Sequence, residues 1–424
     1  MQQPSRLGSF RVLIIGLLAV IIVLGVAFIL LAIGRSGEQV DLRQVDVLAN
    51  STDECVTCHR DASPGIVEQF GHSNMAAAEV TCRDCHQVDA SYPGAVEHEG
   101  DYILAAPSTA MCQECHEEEV AQFYQSRHSL PSWVAVVGSV DLPPNLMAMY
   151  QAVPEGSFAP DKARNAIAAI EGPVMTPFTC ESCHSIGVPA VDGSVGRCQK
   201  CHIRHEYSLE QARKPETCNN CHIGPDHPQW EIYQESAHGI QYATMGEAWN
   251  WEAEPGTLTV SDFPAPTCAL CHMSGFGTTT TTHDVGDRLS WFLFASISKL
   301  RPEAEANRQR MQGVCLSCHN ENFITSFYTA ADAATEHVNG WVQESNDLMA
   351  PLNELGLLTP EQFDEPIDFV YFDLWHYWGR TTKFGLWMQG ADYSQWHGAY
   401  PLLNSLTELR QLVNDKLDST GAVP

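Results

Sequence analysis

Residues 180–222 read CESCHSIGVPAVDGSVGRCQKCHIRHEYSLEQARKPETCNNCH and contain the pattern Cys-x-x-Cys-His three times. The whole chain contains this pattern eight times, and the eight copies use all 16 cysteines. The copies are Cys55/Cys58/His59, Cys82/Cys85/His86, Cys112/Cys115/His116, Cys180/Cys183/His184, Cys198/Cys201/His202, Cys218/Cys221/His222, Cys268/Cys271/His272 and Cys315/Cys318/His319. One repeated kind of site therefore decides the architecture.

The pattern is that of covalent c-type haem attachment. Two thiols three positions apart reach the two vinyl groups of one porphyrin, and the adjacent histidine ligates the iron. Zinc sites or disulfides are the alternative. A zinc site built from such cysteine pairs uses two pairs per metal and does not need a histidine after each pair. The sequence therefore predicts eight covalently bound haem c groups. Because so many porphyrins displace an ordinary core, the predicted fold class is mainly α, with little β structure, a haem-packed core and long C-terminal helices.

Apolar residues recur at helical spacing after the last motif. One stripe comprises Phe323, Phe327, Ala330, Ala334, Val338, Trp341 and Val342, and a later one comprises Leu402, Leu406, Leu409 and Val413. The predicted organisation is a cytoplasmic N-terminus at 1–11, a transmembrane anchor at 12–33, a linker at 34–50, an octahaem domain at 51–320 and a C-terminal helical region at 321–424.

The anchor prediction rests on residues 12–33, which are uncharged and mostly aliphatic and follow Arg6 and Arg11. A helix of this length spans the hydrocarbon core of a bilayer, and the preceding arginines favour a cytoplasmic N-terminus. A cleaved signal peptide is the alternative, although its apolar region is normally shorter. The expectation is an inner-membrane location with the haem domain on the periplasmic side.

Charge excludes one class of partner. The chain has 52 acidic and 23 basic residues and a formal net charge of -29. Nucleic-acid binding requires clustered lysine and arginine, so no nucleic-acid partner is expected. The acidic surface either steers a basic redox partner towards the protein or serves solubility.

Ten histidines lie outside the motifs, and their number leaves the haem coordination open. If eight of these histidines were second axial ligands, every iron would have two histidine ligands and the protein would only transfer electrons. If seven were, one iron would keep an open position for chemistry. The pair Asp226 and His227 stands out because prolines flank it directly after the sixth motif. Such a pair suits proton removal from a small ligand. The alternative, that His227 is another axial ligand, is equally compatible with the sequence.

The motifs resemble those of the octahaem hydroxylamine oxidoreductase (hydroxylamine dehydrogenase) family. The resemblance lies in the wide gap before the fourth motif, in Gly-Pro-Asp-His-Pro-Gln at 224–229, in Thr-His-Asp-Val-Gly at 282–286 with Arg-Leu-Ser-Trp at 288–291, and in Asp-Tyr-Ser-Gln-Trp-His-Gly at 392–398. It covers roughly residues 50 to 400.

The resemblance implies a five-coordinate catalytic haem at Cys180, Cys183 and His184, with Asp226 and His227 on its distal side. Tyr393 would be bonded covalently to this haem from a neighbouring subunit, which implies a homotrimer. The seven other haems would be ligated by two histidines each. The implied distal ligands are His72, His98, His128, His205, His238, His283 and His397, which leaves His337 and His376 spare.

The implied reaction is the oxidation of hydroxylamine to nitric oxide or nitrite, with hydrazine dehydrogenation as a close variant. Electrons would pass through the haems to a partner cytochrome or to a membrane quinone-linked cytochrome. In the family, relatives that lack the tyrosine act as nitrite or hydroxylamine reductases, so Tyr393 favours oxidation, unless it is only a packing aromatic. The competing interpretations are a reductase on the same scaffold and a pure electron-transfer protein.

Overall fold

The computed structural model describes residues 46–154 and 158–419, and these residues are predominantly helical. The α-helices are Glu54–Ala62, Pro64–Gly71, Asn74–Ala77, Cys82–His86, Thr109–Gln113, Glu117–Gln125, Leu130–Val137, Pro144–Ala152, Ala166–Met175, Cys180–His184, Leu209–Arg213, Pro215–Asn219, Gln229–Glu235, Ala237–Met245, Cys268–His272, Ala304–Cys315, Glu321–Glu354, Pro366–Phe372, Gly379–Met388, Ala391–Ser394 and Tyr400–Ser419. Most are short, and the longest lies after the last motif. The predicted mainly α class is confirmed.

Strands are few and short in the described part of the chain. Val96–His98 pairs antiparallel with Asp101–Ile103, and Trp291–Phe292 pairs antiparallel with Lys299–Leu300. Short 3-10 turns cover Ser185–Gly187, Cys198–Lys200 and Gly246–Ala248, and π-helical turns cover Asp373–Trp378 and Gln395–Ala399. The prediction of little β structure is therefore confirmed.

Several haem motifs begin short helices because the preceding residue caps them. The hydroxyl of Thr81 accepts a hydrogen bond from the backbone N–H of Asp84, and the hydroxyl of Thr267 accepts one from the N–H of Leu270. Such caps satisfy N–H groups that the first helical turn leaves without partners. One helical turn then sets the two cysteines on the same side, as attachment to one porphyrin requires.

The C-terminal helices enclose an apolar core of their own. Leu402, Leu406, Leu409 and Val413 are buried, as their spacing predicts. In the long helix Glu321–Glu354 the predicted stripe is wrong at its start. Phe323 is 46% exposed, and the buried face begins instead at Ile324. Aromatic residues on both faces misplace the stripe by one position.

The chain consists of two compact units, of which one ends at Ala78 and the other begins at Glu79. The described part of the first unit holds three helices and the first haem motif. The second unit holds the other seven motifs and the C-terminal helices.

The expected membrane location requires a correction. Within residues 46–154 and 158–419, no helix combines the length and the apolar composition that a bilayer span needs. The longest helix, Glu321–Glu354, carries acidic side chains along its length, and a charged side chain at the bilayer centre costs about 2.5–3.5 kcal/mol. The predicted segment 12–33 lies outside the described residues. The transmembrane span and the inner-membrane, periplasm-facing location are therefore not retained.

Candidate haem ligands and active site

Two of the motif histidines show clearly how the chain orients them as metal ligands. The Nδ1 atoms of His86 and His184 lie 2.7 Å from the carbonyl oxygens of Leu104 and Ser132, respectively. A hydrogen bond from Nδ1–H to an oxygen fixes the tautomer in which Nε2 can bind a metal. The residues present therefore fit haem iron as the ligated group.

Four motif histidines face a second histidine at the spacing that two axial ligands of one iron require, with less than 60° between the two ring planes. The ring centroids are 6.4 Å apart for His86 and His205, 6.3 Å for His202 and His283, 5.9 Å for His222 and His128, and 6.1 Å for His319 and His238. An iron bound by two imidazole nitrogens at about 2 Å each places the centroids about 6 Å apart. With each haem numbered by its motif, these pairs fit haems 2, 5, 6 and 8.

Burial favours the protonation state that metal binding needs. Burial, and after it the neighbouring histidines, lower the pKa of His128 to about 3 and that of His222 to about 4. Both rings are therefore neutral near pH 7, and neutral imidazole is the form that binds metal.

Cysteines of different motifs lie within hydrogen-bonding reach of each other. The pairs are Cys112 with Cys198, Cys183 with Cys221, and Cys218 with Cys268. These thiols stand for the thioether sulfurs of a c-type cytochrome, which sit at the porphyrin edge. Motif three therefore adjoins motif five, and motif six adjoins both motif four and motif seven. Such edge contacts suit rapid electron transfer between haems.

Three of the predicted attachment cysteines lie at the protein surface. Cys58, Cys115 and Cys318 are exposed, and each is the second cysteine of its motif, whereas the other motif cysteines are partly buried. In these motifs the first cysteine is partly buried and the second is exposed, so motifs one, three and eight reach the surface of the described chain.

The histidines of motifs one and three are only partly enclosed. The side chain of His116 is 58% exposed, and its Nδ1 lies 3.8 Å from Glu119 Oε2, which is beyond hydrogen-bonding distance. His59 is half-buried and lies in the unit that ends at Ala78, together with the predicted distal ligand His72. Neither histidine belongs to the four opposed pairs described above, so their role as iron ligands stays a prediction from the motif alone.

The fourth motif is held by close packing. Its helix Cys180–His184 continues into the 3-10 turn Ser185–Gly187, which lies against helix Leu130–Val137. A Cβ atom at Gly187 would overlap the carbonyl oxygen of Ser129. Glycine thus permits the close approach that lets His184 reach the carbonyl of Ser132.

The predicted pair Asp226 and His227 lies beside this motif. The ring of His227 is 6.5 Å from that of His184 and 6.0 Å from that of His222, nearly perpendicular to both. His227 Nδ1 lies 2.7 Å from Asp226 Oδ2. The carboxylate therefore fixes the imidazole in the tautomer whose Nε2 can accept a proton.

Two residues that the sequence argument did not select complete this cluster. Arg380 Nη1 donates to Asp226 Oδ1 at 2.9 Å, and His376 Nδ1 lies 2.9 Å from the same oxygen without hydrogen-bond alignment. Burial acts to raise the pKa of Asp226, but its interactions with His227 and His376 outweigh burial and hold that pKa well below its usual range. Asp226 is therefore ionised.

His376 had been counted as spare. The available signal was the four-residue spacing between His376, in the aromatic run 371–378, and Arg380, because that spacing places two polar groups on one helical face.

An aromatic wall closes one side of the cluster. Phe294 lies 5.1 Å from the ring of His227 and 5.1 Å from that of Phe384. Arg380 Nε donates to the carbonyl of Phe294 at 2.9 Å, and Lys383 Nζ donates to the carbonyl of Ser296 at 3.3 Å. Two basic side chains of helix Gly379–Met388 thus hold the wall in place.

The remaining predicted residues lie elsewhere. Tyr393 packs on His397 with centroids 4.8 Å apart, and its backbone N–H donates to Glu235, so its hydrogen bonds and ring contacts within one chain do not involve Cys180, Cys183 or His184. His397 pairs with Asp392 at 2.7 Å and is exposed, and no ring contact joins it to a motif histidine of the described chain. His98 is exposed on its strand, and His72 follows helix Pro64–Gly71 in the unit of the first motif.

Two apolar surfaces are exposed near these sites. The haem-4 patch, ahead of the fourth motif, consists of Ile170, Val174, Met175 and Phe178, with Phe178 83% exposed. The C-terminal patch, just after Tyr393, consists of Trp396, Tyr400 and Leu403. Contiguous apolar surface of this kind marks interaction sites.

The chain belongs to the multihaem cytochrome family described as "Seven times multi-haem cytochrome CxxCH", which matches residues 78–366. The matched region contains seven of the eight motifs, and the motif at Cys55 precedes it. Covalently bound haem c is therefore the cofactor. The resemblance to the hydroxylamine oxidoreductase family is confirmed at the level of this multihaem family.

Known relatives agree with this assignment. The chain is 30% identical over 249 residues to a probable nitrite reductase-hydroxylamine oxidoreductase fusion protein of Kuenenia stuttgartiensis, a match that covers 52% of this chain and 25% of that protein. The chain thus spans about a quarter of that relative's length.

Two solved structures share the fold. A hypothetical multihaem protein matches 91% of this chain and 100% of its own, with a TM-score of 0.75 and 20% identity. A Kuenenia stuttgartiensis reducing HAO-like protein complex matches 87% of this chain and 85% of its own, with a TM-score of 0.64 and 20% identity.

Proposed function

We propose that this chain is an oxidoreductase that carries eight haem c groups and oxidises hydroxylamine to nitric oxide or nitrite at haem 4. The observation that carries the proposal is the Asp226/His227 pair beside His184. Hydrazine is the closest alternative substrate, since it offers the same N–H protons to the same pair. Haem 4, when bound, supplies an iron that takes up the substrate nitrogen and accepts its electrons.

His227 would act as the general base. Its Nδ1–H is bound to Asp226, so the free Nε2 takes a proton from the N–H or O–H of the substrate as electrons leave. Ionised Asp226 then stabilises the imidazolium. His376 and Arg380 share the charge of Asp226 and keep it in position.

Electrons would leave haem 4 through haem 6, because Cys183 and Cys221 adjoin. From haem 6 the cysteine contacts support a route to haem 7. The acidic surface, with a net charge of -29, would steer a basic redox partner cytochrome to the protein. The haem-carrying region 51–320 would thus form the electron-transfer path, and the region 321–424 would supply Arg380, His376 and Tyr393 to the active site.

Tyr393 would be linked to haem 4 of a neighbouring copy. We infer that the C-terminal patch of one copy packs on the haem-4 patch of the next, which brings Tyr393 towards the Cys180/Cys183 motif. A heterologous contact forms a closed ring when the rotation between copies is a fraction of a full turn, and the proposed assembly is a ring of three copies, a homotrimer.

The test is spectroscopy and turnover of the holoprotein. One high-spin ferric haem, hydroxylamine oxidation, and a loss of turnover by about 100-fold or more in H227A and D226N support the proposal. Eight low-spin haems and no reaction with hydroxylamine would reject it in favour of an electron-transfer protein. Faster nitrite reduction than hydroxylamine oxidation would reject oxidation in favour of a reductase, the direction that the name of the reducing HAO-like complex carries, whereas the name of the fusion protein carries both.

Mass spectrometry of the digested holoprotein tests the link. A haem peptide from 180–184 joined to a peptide with Tyr393 is the expected species. If only separate peptides were found, the covalent link between Tyr393 and haem 4 would be rejected, and it would no longer support oxidation.

A further inference from the structure

Arg380 connects two separate segments that both touch His227. Its Nη1 donates to Asp226 Oδ1 at 2.9 Å, and its Nε donates to the carbonyl oxygen of Phe294 at 2.9 Å. Asp226 holds the Nδ1 edge of the His227 ring, and the side chain of Phe294 lies 5.1 Å from the centre of that ring. The side chain of Arg380 therefore fixes the carboxylate of Asp226 and the aromatic ring of Phe294 relative to each other.

The guanidinium is itself firmly held. Its side chain is 11% exposed and lies between the rings of Phe294 and Trp375, at 5.6 and 5.1 Å from their centroids. A guanidinium donates in a planar fork and keeps its charge when buried, so it can bridge a carboxylate and a carbonyl at fixed angles. An ammonium on a flexible chain cannot reproduce that geometry.

We propose that Arg380 is the positioning residue of the active site, which fixes the imidazole of His227 for proton transfer by bridging Asp226 and the Phe294 carbonyl. This inference rests on the proposed function, in which His227 is the base at haem 4. Arg380 itself acts through Asp226 and Phe294, so its loss leaves the base present but misplaced. Misplacing a reacting group by about 1 Å can cost about 100-fold in rate.

The test uses cyanide as the probe of the ferric holoprotein. Hydrogen cyanide is neutral and must give up its proton as it binds an open haem, so a well-placed base accelerates its association. We expect R380Q to bind cyanide about tenfold more slowly than the wild type or slower still. R380K should lie between them, since one ammonium keeps the charge without the bridge.

The matched control is R308Q. Arg308 forms a bidentate ion pair with Asp332, with both N–O distances at 2.8 Å, and its side chain is likewise partly buried. Its partner Asp332 lies on helix Glu321–Glu354 and is not part of the Asp226/His227 cluster. R308Q should bind cyanide within twofold of the wild-type rate. Haem content and the low-spin spectrum should be unchanged in all three variants.

Wild-type cyanide rates in R380Q, or in R380K should R380Q fail to take up its haems, would overturn the positioning role and leave the proposed function standing. A wild-type protein in which no haem binds cyanide would overturn both. An equal slowing in R308Q and R380Q would also overturn the positioning role, because the effect would then be a general one of losing a buried arginine.

Discussion

The imidazole rings of His128 and His222 lie 5.9 Å apart, centroid to centroid, with 49° between their planes. His222 belongs to the sixth motif, whereas His128 precedes helix Leu130–Val137, whose residue Ser132 accepts from His184 of the fourth motif. One segment thus contributes to the surroundings of two haems, and a change at His128 is informative about both.

Replacing His128 by alanine should open haem 6. The ferric protein is then expected to gain one high-spin haem, because the iron loses its second imidazole. Electron paramagnetic resonance measures the change. H337A is the control, since His337 is exposed on the long helix and packs on Trp341. An unaltered spectrum in H128A would remove His128 from the ligand set.

Replacing Gly187 by alanine should disturb haem 4. The added methyl group meets the carbonyl oxygen of Ser129, so the turn must move away from helix Leu130–Val137, at a cost of about 1–3 kcal/mol. The hydrogen bond from His184 to Ser132 would lengthen with it. Thermal unfolding and the high-spin signal report the two effects.

G340A is the matched control for that substitution. Gly340 lies in helix Glu321–Glu354 with open space around it, and alanine there should raise the free energy of unfolding by about 0.5–1 kcal/mol. Equal effects of G187A and G340A would contradict the close-packing explanation.

Arg288 should be essential for the seventh motif. It is buried, and its guanidinium donates to the carbonyl oxygens of Leu270, Cys271, Met273, Ser274 and Thr280. Arg288→Leu removes these five hydrogen bonds, although the carbonyl oxygen of Met273 also accepts from the N–H of Thr282, and should lower the free energy of unfolding by about 3 kcal/mol or more. Denaturant unfolding of the holoprotein provides the measurement.

The control is Arg410→Leu, which removes the exposed ion pair with Glu344 and should cost less than about 1 kcal/mol. If the two variants lost the same stability, the carbonyls around Arg288 would not need its donors.

Lys383 should make stability depend on pH. Its side chain is fully buried, and burial, with the nearby charge of Arg380, lowers its pKa from 10.5 to about 7. Between these values the unfolded chain binds more protons than the folded one, so stability rises with pH from about 7 to about 10.5. Lys383→Met should remove that rise.

Melting temperatures at pH 7.5 and 9.5 test this. The wild type should gain about 2–3 kcal/mol over that interval of two pH units relative to the methionine variant, given about 1.4 kcal/mol per pH unit for one proton. Parallel profiles of the two proteins would show that the lysine is charged in the folded state.

The repeated Cys-x-x-Cys-His pattern was enough to predict the cofactor and the mainly α class. The chemistry is local: the two thiols and the proximal histidine of a site lie within five consecutive residues, so no tertiary contact is needed to see it. The last apolar stripe was equally legible, because Leu402, Leu406, Leu409 and Val413 bury one continuous face of a single helix.

Tertiary structure alone decided which distant groups meet. The partner of His222 is His128, and the partners of Asp226 are His376 and Arg380, which the sequence left as a spare histidine and an unremarked arginine. Packing also decided which motifs reach the surface, since identical patterns left Cys115 exposed and Cys201 partly buried. Second ligands and positioning residues come from segments that folding brings together, and a linear pattern holds no record of those distances. The cysteines that attach each haem and the histidine that ligates its iron on one side are therefore visible in its own motif. The residues on the other side of each haem were decided by tertiary packing.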